Sequence, residues 1–264
     1  MDHTERVDIS TLSLPHEIVA WIGNAAVYES SGQSGAKTVY IDRDGGAYLK
    51  IADYGTLSLA SKMQEYFCRH QMSSPVLRYL SAGSTDKDYL ITAPLKGESG
   101  ISEKYISEPK RLCEIFAQSL RLLHDVDVSE CPVKNKMSEM VRMVKEASFR
   151  QDYLDDFAGY IGTADADKAA EEIARSSGMI QNDVLIHGDY CLPNIILNDW
   201  AFEGFIDVAD GGAGDRHYDL AWGLWTLNLN LKSPKYGQYF IDAYGRGYVD
   251  KERLRICALL AAME

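Results

Sequence analysis

The sequence predicts an α+β fold with a small, antiparallel, β-rich N-terminal lobe and a larger, mostly helical C-terminal lobe. Short β-rich runs dominate residues 38–92, whereas helical spacing of apolar residues dominates after residue 100. The segment between them, APLKGES at residues 93–99, mixes Pro and Gly and is expected to be a linker. We therefore predict two domains, residues 1–95 and residues 96–264.

The predicted N-terminal elements follow the order strand, strand, helix, strand, strand. Thr38–Ile41 and Ala47–Ile51 flank Asp44-Gly45-Gly46, a turn sequence typical of a β-hairpin. The next segment, LSLASKMQEYFCRHQ, has apolar residues at helical spacing and ends before Pro75. The segments PVLRYLSAG and DYLITAPL then predict two further strands.

Helices are predicted for most of the chain beyond the linker. Ser107 and Pro109 are start signals for a helix over EPKRLCEIFAQSLRLLHDV. Lys136–Tyr160 and Asp165–Ser176 are predicted as further helices that are polar on one side. Two later segments, YDLAWGLWTLNLN and VDKERLRICALLAAM, are also predicted to be helical.

The amino-acid composition restricts the classes of protein that fit this sequence. Hydrophobic residues make up 46% of the 264 residues and charged residues 25%, a balance typical of globular proteins. No apolar run reaches the roughly 18 residues of a membrane span, and the N-terminus lacks a signal-peptide pattern. Five scattered cysteines without a CxxC pair favour a reduced, cytoplasmic chain.

The net charge is −12, and the Lys and Arg residues form no cluster. This argues against a nucleic-acid partner, which needs a basic patch. An acidic surface attracts cationic ligands, but it also simply maintains solubility. Charge alone leaves both interpretations open.

The segment HGDYCLPN carries the strongest chemical signal. Phosphoryl transfer needs oxygen ligands for Mg²⁺ and a separate carboxylate that orients the attacking hydroxyl. In protein kinases the base Asp and a metal-binding Asn are separated by four residues, and a second metal-binding Asp follows a later strand. Here Asp189 precedes Asn194 by the same spacing, and Asp207 closes the apolar run at residues 204–206.

Two strands are predicted around this pattern. Ile195–Leu197 and Phe205–Ile206 flank Asn198-Asp199 and predict a hairpin with Asn194 and Asp207 at its two bases. His187-Gly188-Asp189 alone is equally typical of a simple turn. The complete pattern favours phosphoryl transfer from a nucleotide held by Mg²⁺.

The motifs HGDYCLPNIIL and GFIDVADGGAGDRHYDLAW resemble those of the aminoglycoside phosphotransferases, relatives of the protein kinases. LRLLHDVDVSECP and AYLKIADYG extend the resemblance over most of the chain. Length and loop pattern are most similar to the aminoglycoside 3′-phosphotransferases. The resemblance implies a bilobal protein-kinase-like fold and Mg²⁺-dependent transfer of the γ-phosphate of ATP or GTP to an aminoglycoside, at the 3′-hydroxyl, which confers antibiotic resistance.

The resemblance also implies roles for individual residues. Asp189 corresponds to the catalytic base, and Asn194 and Asp207 to the Mg²⁺ ligands. Lys50 corresponds to the lysine that holds the α- and β-phosphates. Tyr48 lies two residues earlier, on the same strand face, and corresponds to the aromatic residue that stacks on adenine.

Other nucleotide-side residues follow from the same resemblance. Ser34 falls in the nucleotide-positioning loop, and the backbone groups of Ala93 and Leu95 are expected to meet the adenine edge. The family's helix glutamate, which pairs with the lysine, falls on Ser61 in this chain. Glu65, one turn later, is the candidate replacement because residues i and i+4 share a helix face.

A polycationic, hydroxyl-rich substrate calls for several carboxylates. The expected substrate residues are Asn135, Asp152, Asp155, Asp156, Asp210 and Glu264, with Asp215 adding negative potential. The acidic pair and terminal aromatic residue of close relatives are missing here, where the chain reads Leu260-Ala261-Ala262-Met263-Glu264. This departure leaves the antibiotic and the modified hydroxyl open.

Two alternatives remain at this point. A kinase of the same fold could act on another small alcohol, such as choline, a macrolide or a metabolite sugar. A nucleotide-binding pseudo-kinase is the second alternative, although it would not require a base, two metal ligands and the phosphate-binding lysine together.

Overall fold

The computed structural model describes residues 5–30, 36–144, 148–161 and 165–263, with the side chains of residues 158–161 excepted. Contacts between Cα atoms divide the chain into two compact units. The N-unit comprises Met1–Glu98 and Glu203–Ala209, and the C-unit comprises Ser99–Phe202 and Asp210–Glu264. The N-unit thus contains a segment far beyond the predicted boundary at residue 95.

The N-unit is built on one five-stranded antiparallel sheet of order β1-β2-β3-β5-β4. The predicted order of two strands, a helix and two strands is confirmed, and one helix and one strand precede it. The elements are α1 (His16–Ile22), β1 (Ala26–Glu29), β2 (Lys37–Asp42), β3 (Ala47–Asp53), α2 (Leu57–Arg69), β4 (Val76–Ala82) and β5 (Lys87–Thr92).

Strand β3 separates the core of the N-unit from its functional face. Ala47, Leu49 and Ile51 are buried in an apolar core that also contains residues of α1. Because side chains alternate along a strand, Tyr48 and Lys50 point to the opposite face. The predicted common orientation of these two residues is confirmed, since both line the same cavity.

Helix α2 is attached to the sheet through Asp88 of β5. The Leu57 backbone N–H donates to Asp88 Oδ2 at 2.9 Å, and Ser81 Oγ donates to Oδ1 at 2.6 Å. Burial raises the pKa of the Asp88 carboxyl, but the hydrogen bonds from Ser81 and the backbone outweigh burial and lower it overall. A buried carboxylate therefore caps the helix start from outside the helix.

The C-unit is mostly helical and contains a short antiparallel pair, β7 (Val184–Ile186) with β10 (Gly212–Gly214). The two strands predicted after Asn194 form at Ile195–Asn198 (β8) and Ala201–Phe205 (β9), in a sheet of order β6-β8-β9 with the two-residue strand β6 (Glu98–Ser99). Strand β6 lies where the two units divide, and the division also falls within β9. The remaining elements are α3 (Glu103–Ile106), α4 (Pro109–His124), α5 (Lys136–Met143), α6 (Gln151–Ile161), α7 (Ala166–Ser176), α8 (Arg216–Leu231), α9 (Lys235–Tyr244) and α10 (Lys251–Ala261).

The single helix predicted over Lys136–Tyr160 was wrong, because two helices, α5 and α6, occupy this stretch. The residues just before α6 bond to the end of the chain instead. Arg150 N–H donates to the Ala262 carbonyl at 2.9 Å, and Phe149 forms a bridge with Met263. A backbone N–H used in this way is not available for the i→i−4 bond of a continuous helix.

Helix α8 runs through the C-unit core, and Asp215 caps its start. Asp215 is fully buried and accepts bonds from the His217 backbone at 3.0 Å and from Arg253 Nη2 at 2.7 Å. The expectation that Asp215 adds negative potential for a substrate was therefore wrong, since its charge is buried and paired. Over the described ranges, no helix has the length and apolarity needed to cross a membrane.

Candidate active site

A cavity of about 220 Å³ lies beside β3 in the N-unit. Tyr48 and Lys50 line it from β3, and Ala93–Leu95 line it directly after β5. Gln64 lines it from α2, and residues 206–209 close another part of the wall. The remaining lining is divided between the apolar residues Ala36, Leu57, Ala60 and Leu90 and the hydroxyl residues Ser30, Thr38, Ser74 and Thr92. The cavity thus combines an apolar surface with one charged end.

The charged end is an ion pair between Lys50 Nζ and Asp207 Oδ1. Their side chains are 29% and 44% exposed, so both remain accessible to a ligand. Asp207 has a φ of 57°, in the left-handed region that Asp tolerates better than most residues. Asp207 lies two residues beyond the end of β9. Its left-handed backbone conformation turns the chain out of the extended conformation of the strand.

A buried polar network connects α2 to the Asp207 segment. Gln64 Nε2 donates to Ser73 Oγ at 2.8 Å, and Ser73 Oγ donates to the Phe205 carbonyl at 2.5 Å. Phe205 N–H in turn donates to the Met72 carbonyl at 2.7 Å. The strand end that carries Asp207 is therefore fixed to the core of the N-unit two residues upstream.

Glu65 does not take the place of a helix glutamate. It is exposed and does not line the cavity, whereas Gln64 is buried and does. Successive helical residues are rotated by about 100°, so the residue next to an inward-facing one turns towards solvent. The acidic partner of Lys50 is Asp207.

The other predicted nucleotide-side residues are placed as follows. Tyr48 is half-buried, and its pKa is raised by burial and then by Tyr40. Ala93 and Leu95 line the cavity, and Ala93 N–H already donates to the Pro75 carbonyl at 3.0 Å. The backbone N–H of Ala93 therefore already has a partner. Ser34 lies outside the described residues.

The loop His187–Asn194 forms the polar centre of the C-unit, at the end of the buried strand β7. Gly188 has a φ of 86°, and a Cβ at this position would overlap the backbone of Asp210. The buried carboxylate of Asp219, on α8, accepts bonds from His187 N–H at 2.7 Å and Gly188 N–H at 3.0 Å. Both the glycine and Asp219 thus determine the path of the backbone into Asp189.

Two side-chain donors contact Asp189, which is partly exposed. Asn194 Nδ2 donates to Asp189 Oδ2 at 2.8 Å and to its carbonyl at 3.0 Å, and Cys191 Sγ lies 3.0 Å from Oδ1. Only the nitrogen of the Asn194 amide can donate hydrogen bonds to these two oxygen acceptors. The side chain is therefore oriented with its nitrogen towards Asp189. Its oxygen, Oδ1, is directed elsewhere and is a suitable ligand for a hard cation.

Asp219 also belongs to a buried group with His124 and Tyr244. His124 Nε2 lies 3.4 Å from Asp219 Oδ2, and His124 Nδ1 lies 2.8 Å from Tyr244 Oη. Burial lowers the pKa of His124 and outweighs the opposite effect of Asp219. Sequence reasoning missed both Asp219 and Gln64. Asp219 is detectable as a charged residue inside the apolar run YDLAW.

The predicted substrate residues of α6 are exposed and each has a neighbouring partner. Asp152 pairs with Arg150, which lowers the pKa of its carboxyl. Gln151 Nε2 donates to Asp155 at 2.9 Å, and Trp225 Nε1 donates to Asp156 at 2.9 Å. These carboxylates occupy neighbouring positions of one exposed helix face.

The remaining predicted substrate residues lie outside α6, and the backbone of Asp210 packs against Gly188 of the loop. Asn135 is exposed just before α5, and Asp210 lies 3.6 Å from Lys136 Nζ. Glu264 lies outside the described residues.

Each unit contains an oxygen donor of the kind that Mg²⁺ prefers. In the part of the chain that the structure describes, no group of three or more His, Cys, Asp or Glu side chains is positioned to hold a metal ion. Mg²⁺ is usually bound by one or two protein carboxylates together with phosphate oxygens and water. The Asp207 carboxylate and the Asn194 amide oxygen are oxygen donors of this kind.

These features define a phosphotransferase of the kinase-like class. The model of the phosphotransferase enzyme family (APH) matches residues 30–257, and the chain belongs to this family. A protein of Lactococcus lactis described as "Probable aminoglycoside 3'-phosphotransferase" is 37% identical over 97% of each chain. The aminoglycoside 3'-phosphotransferase of Niallia circulans is 26% identical over 93% of this chain and 95% of its own.

Solved structures confirm the predicted fold class. The aminoglycoside phosphotransferase APH(3'')-Id of Streptomyces rimosus has a TM-score of 0.74 at 23% identity, over 96% of this chain and 97% of its own. A structure of the same enzyme with ADP and streptomycin has a TM-score of 0.67 at 22% identity, over 96% of each chain. At this level of identity the likeness establishes the kinase-like α+β fold.

Proposed function

We propose that this phosphotransferase transfers the γ-phosphate of ATP or GTP to a hydroxyl of an aminoglycoside antibiotic, the 3′-hydroxyl, and thereby confers resistance. The observation that carries the proposal is the 37% identity with the Lactococcus lactis relative over 97% of both chains. The local geometry of the Asp189–Asn194 loop and of the Lys50–Asp207 pair supports the same chemistry.

Asp189 is the proposed base. Its carboxylate is partly exposed and is held by Asn194 and Cys191, so it presents a fixed acceptor to an incoming hydroxyl. A hydroxyl that donates to this carboxylate has its lone pair directed away from the proton, towards the phosphorus. As the oxygen forms its bond to the γ-phosphorus, the bond from this phosphorus to the β–γ bridging oxygen breaks, ADP or GDP leaves, and Asp189 accepts the proton of the hydroxyl.

The N-unit cavity is the proposed nucleotide site. Tyr48 offers an aromatic face to the nucleobase, and the Ala93 carbonyl can accept a bond from its edge. Lys50 supplies a positive charge for the phosphates and would exchange part of its contact with Asp207 for phosphate oxygens. The apolar lining excludes water from the base and strengthens these contacts.

Asn194 Oδ1 and the Asp207 carboxylate are the proposed Mg²⁺ ligands. When bound, Mg²⁺ neutralises the charge that the phosphate oxygens carry during transfer. The carboxylates of α6 are proposed to pair with the ammonium groups of the acceptor.

A coupled ADP and GDP assay with Mg²⁺ tests the proposal. Kanamycin, neomycin, choline and a blank without acceptor are compared for both nucleotides. Stimulation by kanamycin or neomycin well above the choline and blank rates supports the proposal, and NMR of the product then identifies the phosphorylated hydroxyl. Stimulation by choline alone would move the acceptor to another class of alcohol, and no stimulation by any acceptor would contradict the proposal.

A further inference from the structure

Three aromatic rings meet between α6 and α8 of the C-unit. Tyr153 packs edge-to-face against Trp222 and Trp225, with ring centroids 5.4 and 5.5 Å apart and interplanar angles of 89° and 78°. Trp222 and Trp225 are themselves 5.4 Å apart at 88°. We call these three side chains the aromatic wall. Their edge-to-face contacts hold the rings rigidly with respect to one another.

Packing of α6 uses other residues. Leu154 and Phe157 are fully buried and form the core-facing side of the helix, whereas Tyr153 is partly exposed. Trp225 is also partly exposed, on a helix whose neighbouring residues are mostly buried. The aromatic wall therefore offers a partly open surface beyond the apolar core.

The wall borders the loop that carries the proposed base. Thr226, adjacent to Trp225, accepts a hydrogen bond from Leu192 N–H at 3.2 Å. Leu192 belongs to the same short loop as Asp189, whose carboxylate accepts a bond from Asn194 at 2.8 Å. The wall is thus next to the place where the acceptor hydroxyl has to lie.

The wall is also a place where cations and carboxylates meet. The Arg150 guanidinium lies 4.0 Å from the centre of the Tyr153 ring, and its Nε is 3.1 Å from Asp152. On the other side, Trp225 Nε1 donates to Asp156 at 2.9 Å. A cation held against an aromatic face and next to a carboxylate is the arrangement that a protonated amine prefers.

We propose that Tyr153, Trp222 and Trp225, together with Asp156, form a subsite that takes a protonated amino-sugar ring of the acceptor. The apolar C–H face of the ring packs on the exposed faces of Trp225 and Tyr153, and its ammonium group pairs with Asp156. This inference rests on the proposed function. To the carboxylates of α6 it adds the aromatic side chains that the acceptor ring would contact. Carboxylates alone attract any amine, whereas an aromatic surface also selects for a ring that has an apolar C–H face.

Replacement of the Trp225 ring tests the subsite, and the acceptor KM is the quantity to measure. Trp225→Leu should raise the acceptor KM for kanamycin or neomycin by about 2- to 10-fold, the range for losing one aromatic packing contact. The nucleotide KM and the rate at saturating acceptor should change little. Trp225→Phe keeps an aromatic face and should show a smaller effect. Tyr54→Leu, a change at a 55% exposed tyrosine of the N-unit, is the matched control.

A second pair of variants and a binding measurement distinguish loss of the subsite from misfolding. Tyr153→Phe keeps the ring and should raise the acceptor KM less than Tyr153→Leu, which removes the ring. Titration of kanamycin without nucleotide should change the tryptophan fluorescence of the unmodified protein, and Trp225→Leu should reduce that change. Thermal unfolding of each variant verifies that it is folded.

The outcomes separate this inference from the proposed function. If the unmodified protein phosphorylates aminoglycosides and folded Trp225→Leu and Tyr153→Leu keep the acceptor KM, the subsite is wrong and the function stands. If both leucine variants raise the nucleotide KM as much as the acceptor KM, the substitutions distort the protein generally and the inference also fails. If the unmodified protein phosphorylates no aminoglycoside, the proposed function itself fails, without reference to any variant.

Discussion

The amide nitrogen of Asn194 lies 2.8 Å from Oδ2 of Asp189 and 3.0 Å from the carbonyl oxygen of the same residue. In the proposed mechanism this amide orients the base with its nitrogen and offers its oxygen to Mg²⁺. The proposal therefore assigns two tasks of phosphoryl transfer, activation of the hydroxyl and charge neutralisation, to a single side chain.

Asn194→Ala should affect both tasks. Without the amide, Asp189 loses one of its donors and the proposed Mg²⁺ site loses an oxygen ligand, so the Mg²⁺ concentration for half-maximal rate should rise by about 10- to 100-fold. The maximal rate should fall as well. Titration of Mg²⁺ in the coupled assay measures both quantities. Asn198→Ala, at an exposed residue of β8, should leave them unchanged, and an equal Mg²⁺ dependence in the two variants would contradict the assignment.

Lys50→Met removes the cation that lines the N-unit cavity and pairs with Asp207. A hydrogen bond to a charged group contributes about 1.5–3 kcal/mol, so the nucleotide KM should rise roughly 10- to 100-fold. The acceptor KM should change far less, because the lysine is assigned to the phosphates. Lys62→Met, at an exposed position of α2, is the control. A larger effect on the acceptor KM than on the nucleotide KM would show that Lys50 has another role.

Gln64 and Glu65 are neighbours on α2, but we expect their replacement to have different effects on the free energy of unfolding. Gln64→Leu leaves Ser73 and the Ser74 carbonyl without their donor in a buried position, which should lower the free energy of unfolding by about 1–3 kcal/mol. Glu65→Ala, on the exposed face, should stay within about 0.5 kcal/mol of the unmodified protein. Urea denaturation measures both changes. If Glu65→Ala were the more damaging change to stability and to the nucleotide KM, Glu65 would be the missing helix glutamate after all.

Stability should depend on pH through His124. Burial lowers the pKa of His124 in the folded state, and its surroundings, Asp219, Tyr244, Arg121 and Arg216, are all part of the C-unit. The unfolded chain, with a histidine pKa of about 6.5, therefore binds a proton at a pH where the folded chain does not. The free energy of unfolding should fall as pH decreases below about 6.5.

Urea denaturation between pH 8 and pH 5 follows this dependence. His124→Gln should flatten the curve below pH 6.5, whatever its effect at pH 8, whereas His16→Gln, at an exposed position of α1, should not. Identical slopes in all three proteins would rule out His124 as the titrating group.

The local features of the site were predictable because they depend on neighbours in sequence. Alternation along a strand places Tyr48 and Lys50 on one face, and the spacing in HGDYCLPN brings Asp189 and Asn194 together. The roles of these residues stay predictions that the experiments above address.

Features that depend on distant partners were not predictable. The rotation of α2 that buries Gln64 and exposes Glu65 depends on how the helix packs, and Ser73 and Phe205 are its distant partners. The break before α6 depends on Arg150 bonding to Ala262 at the other end of the C-unit sequence. The inclusion of Glu203–Ala209 in the N-unit depends likewise on the contact between Met72 and Phe205.

The most direct test of the central claim is mass spectrometry of kanamycin incubated with Mg²⁺ and ATP or GTP. The unmodified protein should convert kanamycin to a product heavier by one phosphate group. Asp189→Ala should lower the rate by about 10²- to 10⁴-fold, the range for losing general-base assistance, while nucleotide binding persists. Nucleotide consumption without a phosphorylated aminoglycoside, or an equal rate with Asp189→Ala, would contradict the account.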